Sequence, residues 1–290
     1  MRSEARAAPG APPPTADPHL AALIRLALEE DIGPGDMTSL ATVPADRRCL
    51  ARIKAKAPGV IAGLRVAEAV FHSVDPALDF EAARMDGSHV ASGDHVAVIG
   101  GSALALLAAE RTALNFLQRL SGIATATAAA VAQVEGTGVR LLDTRKTTPG
   151  LRALEKYAVA CGGGVNHRRG LYDRYLVKEN HIGLAGGVAA AVAAARDAHP
   201  EAPVEVEVRN PAELEEALRA RAERVLLDNF TPAAAAAAVR HVAGRAETEI
   251  SGGVTPENLA AYAAARPDYI SLGWLTHSAP ALDLSMTLVV

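Results

Sequence analysis

The sequence predicts an α/β protein: an incomplete β/α barrel of about seven strands behind an N-terminal α+β sandwich domain. Two patterns predict the barrel. Short apolar strands recur at about 139–143, 175–178, 204–208, 225–228, 248–251 and 269–273, and three are followed by helix starts of one design. Asn210-Pro211, Thr231-Pro232 and Thr255-Pro256 each set a capping side chain before a proline. The cap accepts orphan backbone N–H groups, and proline at the first helical position has no N–H to leave unpaired. Strand–helix alternation at roughly 20–25 residues implies parallel strands with helices outside them. The second pattern is at the strand ends. They carry Asp143-Thr144-Arg145-Lys146, Lys178-Glu179-Asn180-His181, Glu205 with Glu207, Asp228-Asn229, Ser251-Gly252-Gly253 and Gly273. Barrels build their sites where strands end and loops toward the helices begin.

Taken in order, residues 1–18 are Ala/Pro-rich without an apolar segment, and read as a disordered tail rather than a signal peptide. The sandwich domain is placed at 19–116. Apolar positions 20, 23, 24, 26 and 28 predict a helix over 19–30, ended by the turn-rich cluster 31–36. Residues 49–61 alternate apolar and basic, as a strand with one solvated face does, before a helix at about 63–73 and strands at about 77–84 and 95–99. From 103 to 133 the chain is Ala/Leu-rich and interrupted at Ser121-Gly122, which predicts two consecutive helices. The barrel is placed at 117–279.

Composition excludes several classes. Aromatic residues are 3% of the chain and the net charge is −4, which disfavours a nucleic-acid binder. No apolar run approaches the ~18 residues of a membrane span. Cys49 and Cys161 lack metal-ligand spacing and read as reduced thiols of a cytoplasmic protein. Against the acidic whole, the window Arg145–His181 holds eight Lys/Arg and three Asp/Glu, and contains Gly162-Gly163-Gly164. Cations concentrated in this way suit an anionic small ligand, and glycines let backbone approach it.

Arg145, Lys146, His167, Arg168 and Lys178 come from three segments. Arginine clamps carboxylates with two parallel bonds, and lysine presents a point charge to phosphate. A salt bridge accounts for any one of them and poorly for the group. Glu207 and Asp228 end neighbouring strands and can hold sugar hydroxyls, ligate Mg²⁺ or steady a cationic sugar, against the alternative of a structural ion pair. Glu205 shares a strand face with Glu207. Ser251-Gly252-Gly253 before the Thr255 helix start, with Gly273 on the next strand, reads as a phosphate site or as a plain glycine turn. Arg111 reads as a surface helix charge, His181 as an orienting residue, and Cys161 as packing.

The stretches AERTALNFLQRLSGIATAT (109–127), DTRKTTPGLRALEKYAVACGGGVNHRRGLYDRYLVKENHI (143–182), VEVEV (204–208), LLDNF (226–230), ISGGV (250–254) and SLGWLTHS (271–278) closely resemble the quinolinate phosphoribosyltransferase family of NAD biosynthesis. EDIGPGDMTS (30–39) resembles its N-terminal signature. The resemblance implies that quinolinate and 5-phosphoribosyl 1-pyrophosphate, with Mg²⁺, give nicotinate mononucleotide, pyrophosphate and CO₂. It implies that Arg145, His167 and Arg168 hold the quinolinate carboxylates, joined by Arg111 from the other subunit of a homodimer with shared sites, and leaves open a higher oligomer. Lys146 and Lys178 then face the pyrophosphate and ring carboxylate, and Glu207 and Asp228 the ribose and metal. Ser251, Gly252, Gly253 and Gly273 take the 5-phosphate. The resemblance also returns residues 280–290 to the N-terminal domain. Arg209 departs from the family's more usual acidic or neutral residue. Two alternatives stand beside this reading: a related barrel phosphoribosyltransferase acting on another pyridine or a molybdenum-linked substrate, and a non-catalytic nucleotide-binding homologue.

Overall fold

The computed structural model describes residues 18–289. The tail expected at 1–18 lies, but for its last residue, outside them. In chain order the first elements are α1 (Leu20–Ile32), α2 (Met37–Thr42), β1 (Arg48–Ala55), β2 (Gly59–Val60), α3 (Leu64–Val74), β3 (Asp79–Ala82), β4 (His89–Val90), β5 (His95–Ser102) and α4 (Ala103–Gln133). Then come β6 (Arg140–Leu142), α5 (Arg152–Cys161), β7 (Tyr175–Val177), α6 (Glu179–Ala185), α7 (Val188–Ala198), β8 (Val204–Val208) and α8 (Pro211–Arg219). The last are β9 (Arg224–Asp228), α9 (Pro232–Val242), β10 (Glu247–Ser251), α10 (Leu259–Ala263), β11 (Tyr269–Ser271), α11 (Trp274–His277) and β12 (Leu284–Val289). No helix among the described residues is long and apolar enough to cross a membrane.

Two compact units form. The first takes the described residues up to Ala128, then Thr148–Gly163 and the chain from Ser278 onward; the second takes Ala129–Thr147 and Gly164–His277. This division differs from a break at 116/117; both points fall inside α4, which runs unbroken through them.

In the first unit an antiparallel sheet has the order β12-β1-β5-β3. On β1, Ala51, Ile53 and Ala55 are buried while Arg48 and Arg52 face water, which is the alternation read from the sequence. The last strand pairs with β1 from Leu50↔Val289 to Ala55↔Leu284. The predicted interruption at Ser121-Gly122 is absent: α4 is a single helix of 31 residues. Those two residues serve packing instead. The Ser121 hydroxyl accepts the backbone N–H of Ala62 at 3.0 Å. Gly122 lies where a Cβ would collide with the Pro280 carbonyl and come within 2.8 Å of Ala281 Cα. Backbone cannot retreat as a flexible side chain can. Gly122→Ala therefore lowers unfolding stability by about 1–3 kcal/mol through overpacking, read as an earlier urea midpoint; an unmoved midpoint would contradict the packing role.

The glycine run also has a structural use that the ligand-approach reading did not foresee. Gly162 sits where a Cβ would meet the Ala124 carbonyl and stand 2.6 Å from Thr127 Cβ, so α5 ends against α4. On α5, Glu155 accepts Arg119 Nη2 at 2.9 Å and the Thr148 hydroxyl at 2.8 Å. Arg152 and Lys156 are thereby placed on α5 in the first unit, and Lys156 is buried. The cationic window divides, and only its ends belong to the second unit.

The second unit is a parallel sheet of order β6-β11-β10-β9-β8-β7, with a further parallel bridge between Leu142 and Val165 on the outer side of β6. Its curvature can be read from one distance. His167, just past that bridge, brings Nε2 within 3.1 Å of Glu205 on β8. In a flat sheet five strand spacings would separate them by roughly 24 Å. The sheet is curled into an incomplete barrel, as expected. Helix caps follow the sequence at two of three places: Asn210 accepts the N–H groups of Ala212 and Glu213, and Thr231 that of Ala234. The third differs. Thr255 donates its N–H to Asn258 Oδ1 within a turn, and α10 begins only at Leu259.

Candidate active site

The site is built from the ends of the barrel strands. On β8 the valines 204, 206 and 208 are buried on one face, and Glu205 and Glu207 occupy the other. The parallel register sets Glu207 beside Leu226, Leu226 beside Glu249, and Asp228 beside Ser251. These residues line one cavity of about 430 Å³ with Thr144, Arg145, Lys146, His167, Arg168, Lys178, Gly252, Gly253 and Ser271. That volume is of the size that takes small organic ligands.

Local structure fixes each group. Asp143, at the end of β6 and fully buried, accepts Asn166 Nδ2 at 2.6 Å and the His167 backbone N–H at 2.8 Å. The loop carrying His167 and Arg168 is thus tied to the β6 edge. Lys146 is held through its backbone: its N–H donates to Thr144 Oγ1 at 3.0 Å, and its carbonyl accepts the Thr276 hydroxyl at 2.8 Å. Lys178 reaches Glu207 Oε2 at 2.5 Å, while its backbone N–H donates to His181 Nδ1 at 3.0 Å. His181 thus contacts backbone at the start of α6, as an orienting residue would.

The charges around the cavity are unevenly balanced. Burial, and then the neighbouring Arg145 charge, lower the pKa of the Arg168 guanidinium. Two cations that disfavour each other will be relieved by an anion with more than one charge. Across the cavity, burial and then the Glu207 carboxylate raise the pKa of Asp228. Positive charge placed near that pair is stabilised there.

At the rim, Asn229 has φ 58° and donates its backbone N–H to the Ser251 carbonyl at 2.9 Å. Gly252, at φ 87°, lies so close that a Cβ would collide with the Asn229 side chain. A left-handed glycine turn bringing backbone N–H groups to the cavity edge suits a phosphate. The short α10 adds no regular helix terminus at Thr255.

Beneath the mouth lies a charged floor. Glu205 and Glu249 are both buried, with His167 Nε2 3.1 Å from Glu205 Oε2 and 3.5 Å from Glu249 Oε2. Arg224 Nη1 stands 3.2 Å from Glu249 Oε2 and Nη2 2.7 Å from Glu247 Oε2. Its guanidinium stacks on Tyr269 at 3.9 Å, with Arg140 on that ring at 4.2 Å. Burial, then repulsion from Glu205, push the Glu249 carboxyl up to about 7. An acid whose folded pKa exceeds its unfolded value favours the fold below the unfolded pKa and loses that contribution as pH rises through the folded one. The stability of the native chain relative to Glu249→Gln accordingly falls between about pH 4.5 and 7.5. Urea titrations at several pH values check this; parallel curves would contradict it.

The structure does not gather every residue singled out in the sequence. Arg111 is exposed on α4 in the first unit and is absent from the cavity lining. Gly273 is also off the lining; a Cβ there would stand 3.1 Å from Lys146 Cδ, so the glycine makes room for the lysine stem. Arg209, marked as unusual, pairs with Glu179 at 2.8 Å and Glu213 at 2.7 Å, away from the cavity. Conversely, Asp143, Asn166 and Glu249 had been given no role. Glu249 was detectable, because it stands two residues before Ser251 on the same strand face.

Residues 123–287 match the family model for the C-terminal domain of quinolinate phosphoribosyl transferase, and residues 36–121 the model for its N-terminal domain. The chain belongs to the quinolinate phosphoribosyltransferase family. Among its relatives, the carboxylating nicotinate-nucleotide pyrophosphorylase of Mycobacterium leprae is 45% identical over 274 residues, covering 91% of this chain and 95% of the relative. The decarboxylating quinolinate phosphoribosyltransferase 1b of Nicotiana tabacum is 42% identical over 294 residues, covering 94% and 83%. The solved nicotinate-nucleotide pyrophosphorylase of Francisella tularensis superposes with a TM-score of 0.90 at 39% identity, over 93% of this chain and 96% of that one.

Proposed function

We propose that this quinolinate phosphoribosyltransferase family member transfers the phosphoribosyl group of 5-phosphoribosyl 1-pyrophosphate to the ring nitrogen of quinolinate, releasing pyrophosphate and CO₂ and giving nicotinate mononucleotide. The observation that carries this is one cavity in which Arg145, Arg168, Lys146 and Lys178 face Glu207, Asp228 and the Ser251–Gly253 turn. Arg145, His167 and Arg168, all on the cavity lining, grip the two carboxylates. Lys146 and Lys178 attend the pyrophosphate and ring carboxylate. The glycine turn takes the 5-phosphate.

Departure of pyrophosphate leaves positive charge on the ribose, and preset carboxylates beside the ring stabilise it as it develops. Glu207 and Asp228 are placed for that. Once the ring nitrogen is ribosylated, its positive charge stabilises the electron pair left on the adjacent ring carbon as CO₂ departs, and that carbon takes one proton from solvent. Little proton transfer is needed, so positioning and electrostatics carry the rate. Two carboxylates offering only oxygen, one of them destabilised by its neighbour, are a donor set suited to Mg²⁺. Glu207 and Asp228 would hold the ion with phosphate oxygens, and bound Mg²⁺ would neutralise charge on the phosphates.

The reading extends to a cytoplasmic homodimer in which Arg111 of the partner subunit completes each cavity; the exposure of Arg111 on α4 supports this. The test is release of labelled CO₂ from quinolinate. It should require the phosphoribosyl donor, and nicotinate should be turned over at least ~100-fold more slowly, having lost one charge-assisted clamp. Donor-independent release, or equal use of nicotinate, would overturn the reading.

A further inference from the structure

Past the end of β6 two loops diverge, and both carry residues that line the anion site. Up to that point they are joined by backbone. The bridge of Leu142 to Val165 is made by the Val165 N–H on the Leu141 carbonyl at 2.8 Å and the Asp143 N–H on the Val165 carbonyl at 3.2 Å. The Asp143 side chain carries the pairing one step further. Its Oδ1 accepts the His167 backbone N–H at 2.8 Å, and its Oδ2 accepts the Asn166 side-chain amide at 2.6 Å. Asp143 is 0% exposed, so solvent does not compete for either oxygen. Arg145 follows two residues later on one loop; His167 and Arg168 begin the other. All three line the cavity, and Asp143 does not.

Beyond Asp143 each loop is set by its own bonds. In the second loop four successive backbone N–H groups donate to side chains: that of His167 to Asp143, that of Arg168 to His167 Nδ1 at 2.7 Å, and those of Arg169 and Gly170 to Asp173 at 2.7 and 3.1 Å. The Arg168 guanidinium donates from Nη1 to the Arg174 carbonyl at 3.4 Å. In the first loop the Arg145 carbonyl accepts the Thr147 N–H at 3.0 Å, and Lys146 is held by Thr144 and Thr276. Two loops that are each fixed internally leave one variable, their separation. The carboxylate that joins them sets it.

We propose that Asp143 is a specificity-determining positioning residue: by joining the Arg145 loop to the His167–Arg168 loop, it sets the span of the anion clamp to two carboxylates on adjacent ring atoms. Groups that clamp a rigid ligand need placement within about 0.5 Å, and their supports decide whether they have it. A carboxylate suits the task because it offers two acceptor oxygens and no donor, matching the two donors that face it. Asparagine at 143 turns an amide N–H toward one of those donors, breaks that bond and lets one loop shift against the other. The substrate in this inference rests on the quinolinate reading; the span of the clamp is measured by binding alone.

The experiment is calorimetric titration of full-length protein with benzene-1,2-dicarboxylate and benzene-1,3-dicarboxylate, beside steady-state kinetics. The two probes carry equal charge, and neither has a ring nitrogen to be ribosylated. Native protein should bind the 1,2-isomer at least about tenfold more tightly, since only that isomer engages both sides of the clamp. Asp143→Asn should weaken the 1,2-isomer about tenfold, the effect of losing roughly one hydrogen bond to a charged group, and leave the 1,3-isomer within about twofold. It should raise the quinolinate KM about tenfold and the donor KM by no more than about twofold. Asn166→Ala, which keeps the carboxylate and removes one of its two donors, should narrow the preference about threefold. Equal weakening of both isomers is what a general loss of structure produces, and it would overturn the proposal. So would native protein that binds neither isomer or does not distinguish them, and so would an unchanged preference in Asp143→Asn. If Asp143→Asn does not fold, an unchanged preference in Asn166→Ala overturns it instead. If no quinolinate turnover is found at all, the proposed function fails while the preference between the isomers still decides the role of Asp143.

Discussion

Arg145→Ala raises the KM for quinolinate by about 100-fold or more and leaves that for the phosphoribosyl donor within about threefold. Arg145 stands on the loop after β6, close enough to Arg168 for its charge to lower the Arg168 pKa. In the free protein the two guanidiniums disfavour each other, and water screens the exposed one. A pyridine diacid replaces that water with two carboxylates, so the repulsion becomes attraction at both positions. Truncating one partner of a desolvated charge pair costs about 2–5 kcal/mol, much of it from the carboxylate left unpaired. The donor, bound through the lysines and the glycine turn, should scarcely register the loss. Arg145→Lys should recover only part of it, because an ammonium cannot make the two parallel bonds of a guanidinium. Initial rates with each substrate varied in turn check the split, and equal losses for both ligands would contradict the assignment.

What was legible in the sequence is local. The alternation in Val204–Val208 disclosed that Glu205 and Glu207 share one strand face, and Asn210 and Thr231 disclosed their helices, because a cap and its bonds lie within three residues. The strand-end residues revealed most of the cavity, since the barrel makes every strand finish at one mouth. What stayed hidden depends on partners far along the chain. Ser121-Gly122 resembles a helix break until Ala62 and Pro280 are seen to need that space. The glycines at 162–164 resemble a ligand loop until Gly162 is found against Ala124. Asp143 resembles one more polar strand end, yet its bonds to Asn166 and His167 place the Arg168 loop. Thr255 misled for a simpler reason: Asn258 captures its N–H and delays regular helix to Leu259.

Arg111→Ala and Lys178→Ala, each reduced below about 1% of native activity, regain about a quarter of it when their subunits are mixed and allowed to exchange. Lys178 lines the cavity of its own chain and meets Glu207 at 2.5 Å, whereas Arg111 is exposed on α4. In a dimer with shared sites, each cavity joins its own Lys178 to Arg111 of the partner subunit. A mixed dimer then has one cavity with both residues native and one with both replaced. Random reassortment makes half the dimers mixed, so one cavity in four is intact. If Arg111 served its own chain, every cavity in every dimer would keep one defect and mixing would restore nothing. Native mass spectrometry with differently tagged chains establishes that exchange has occurred. Absence of recovery after demonstrated exchange would remove Arg111 from the partner's cavity and leave it a surface charge.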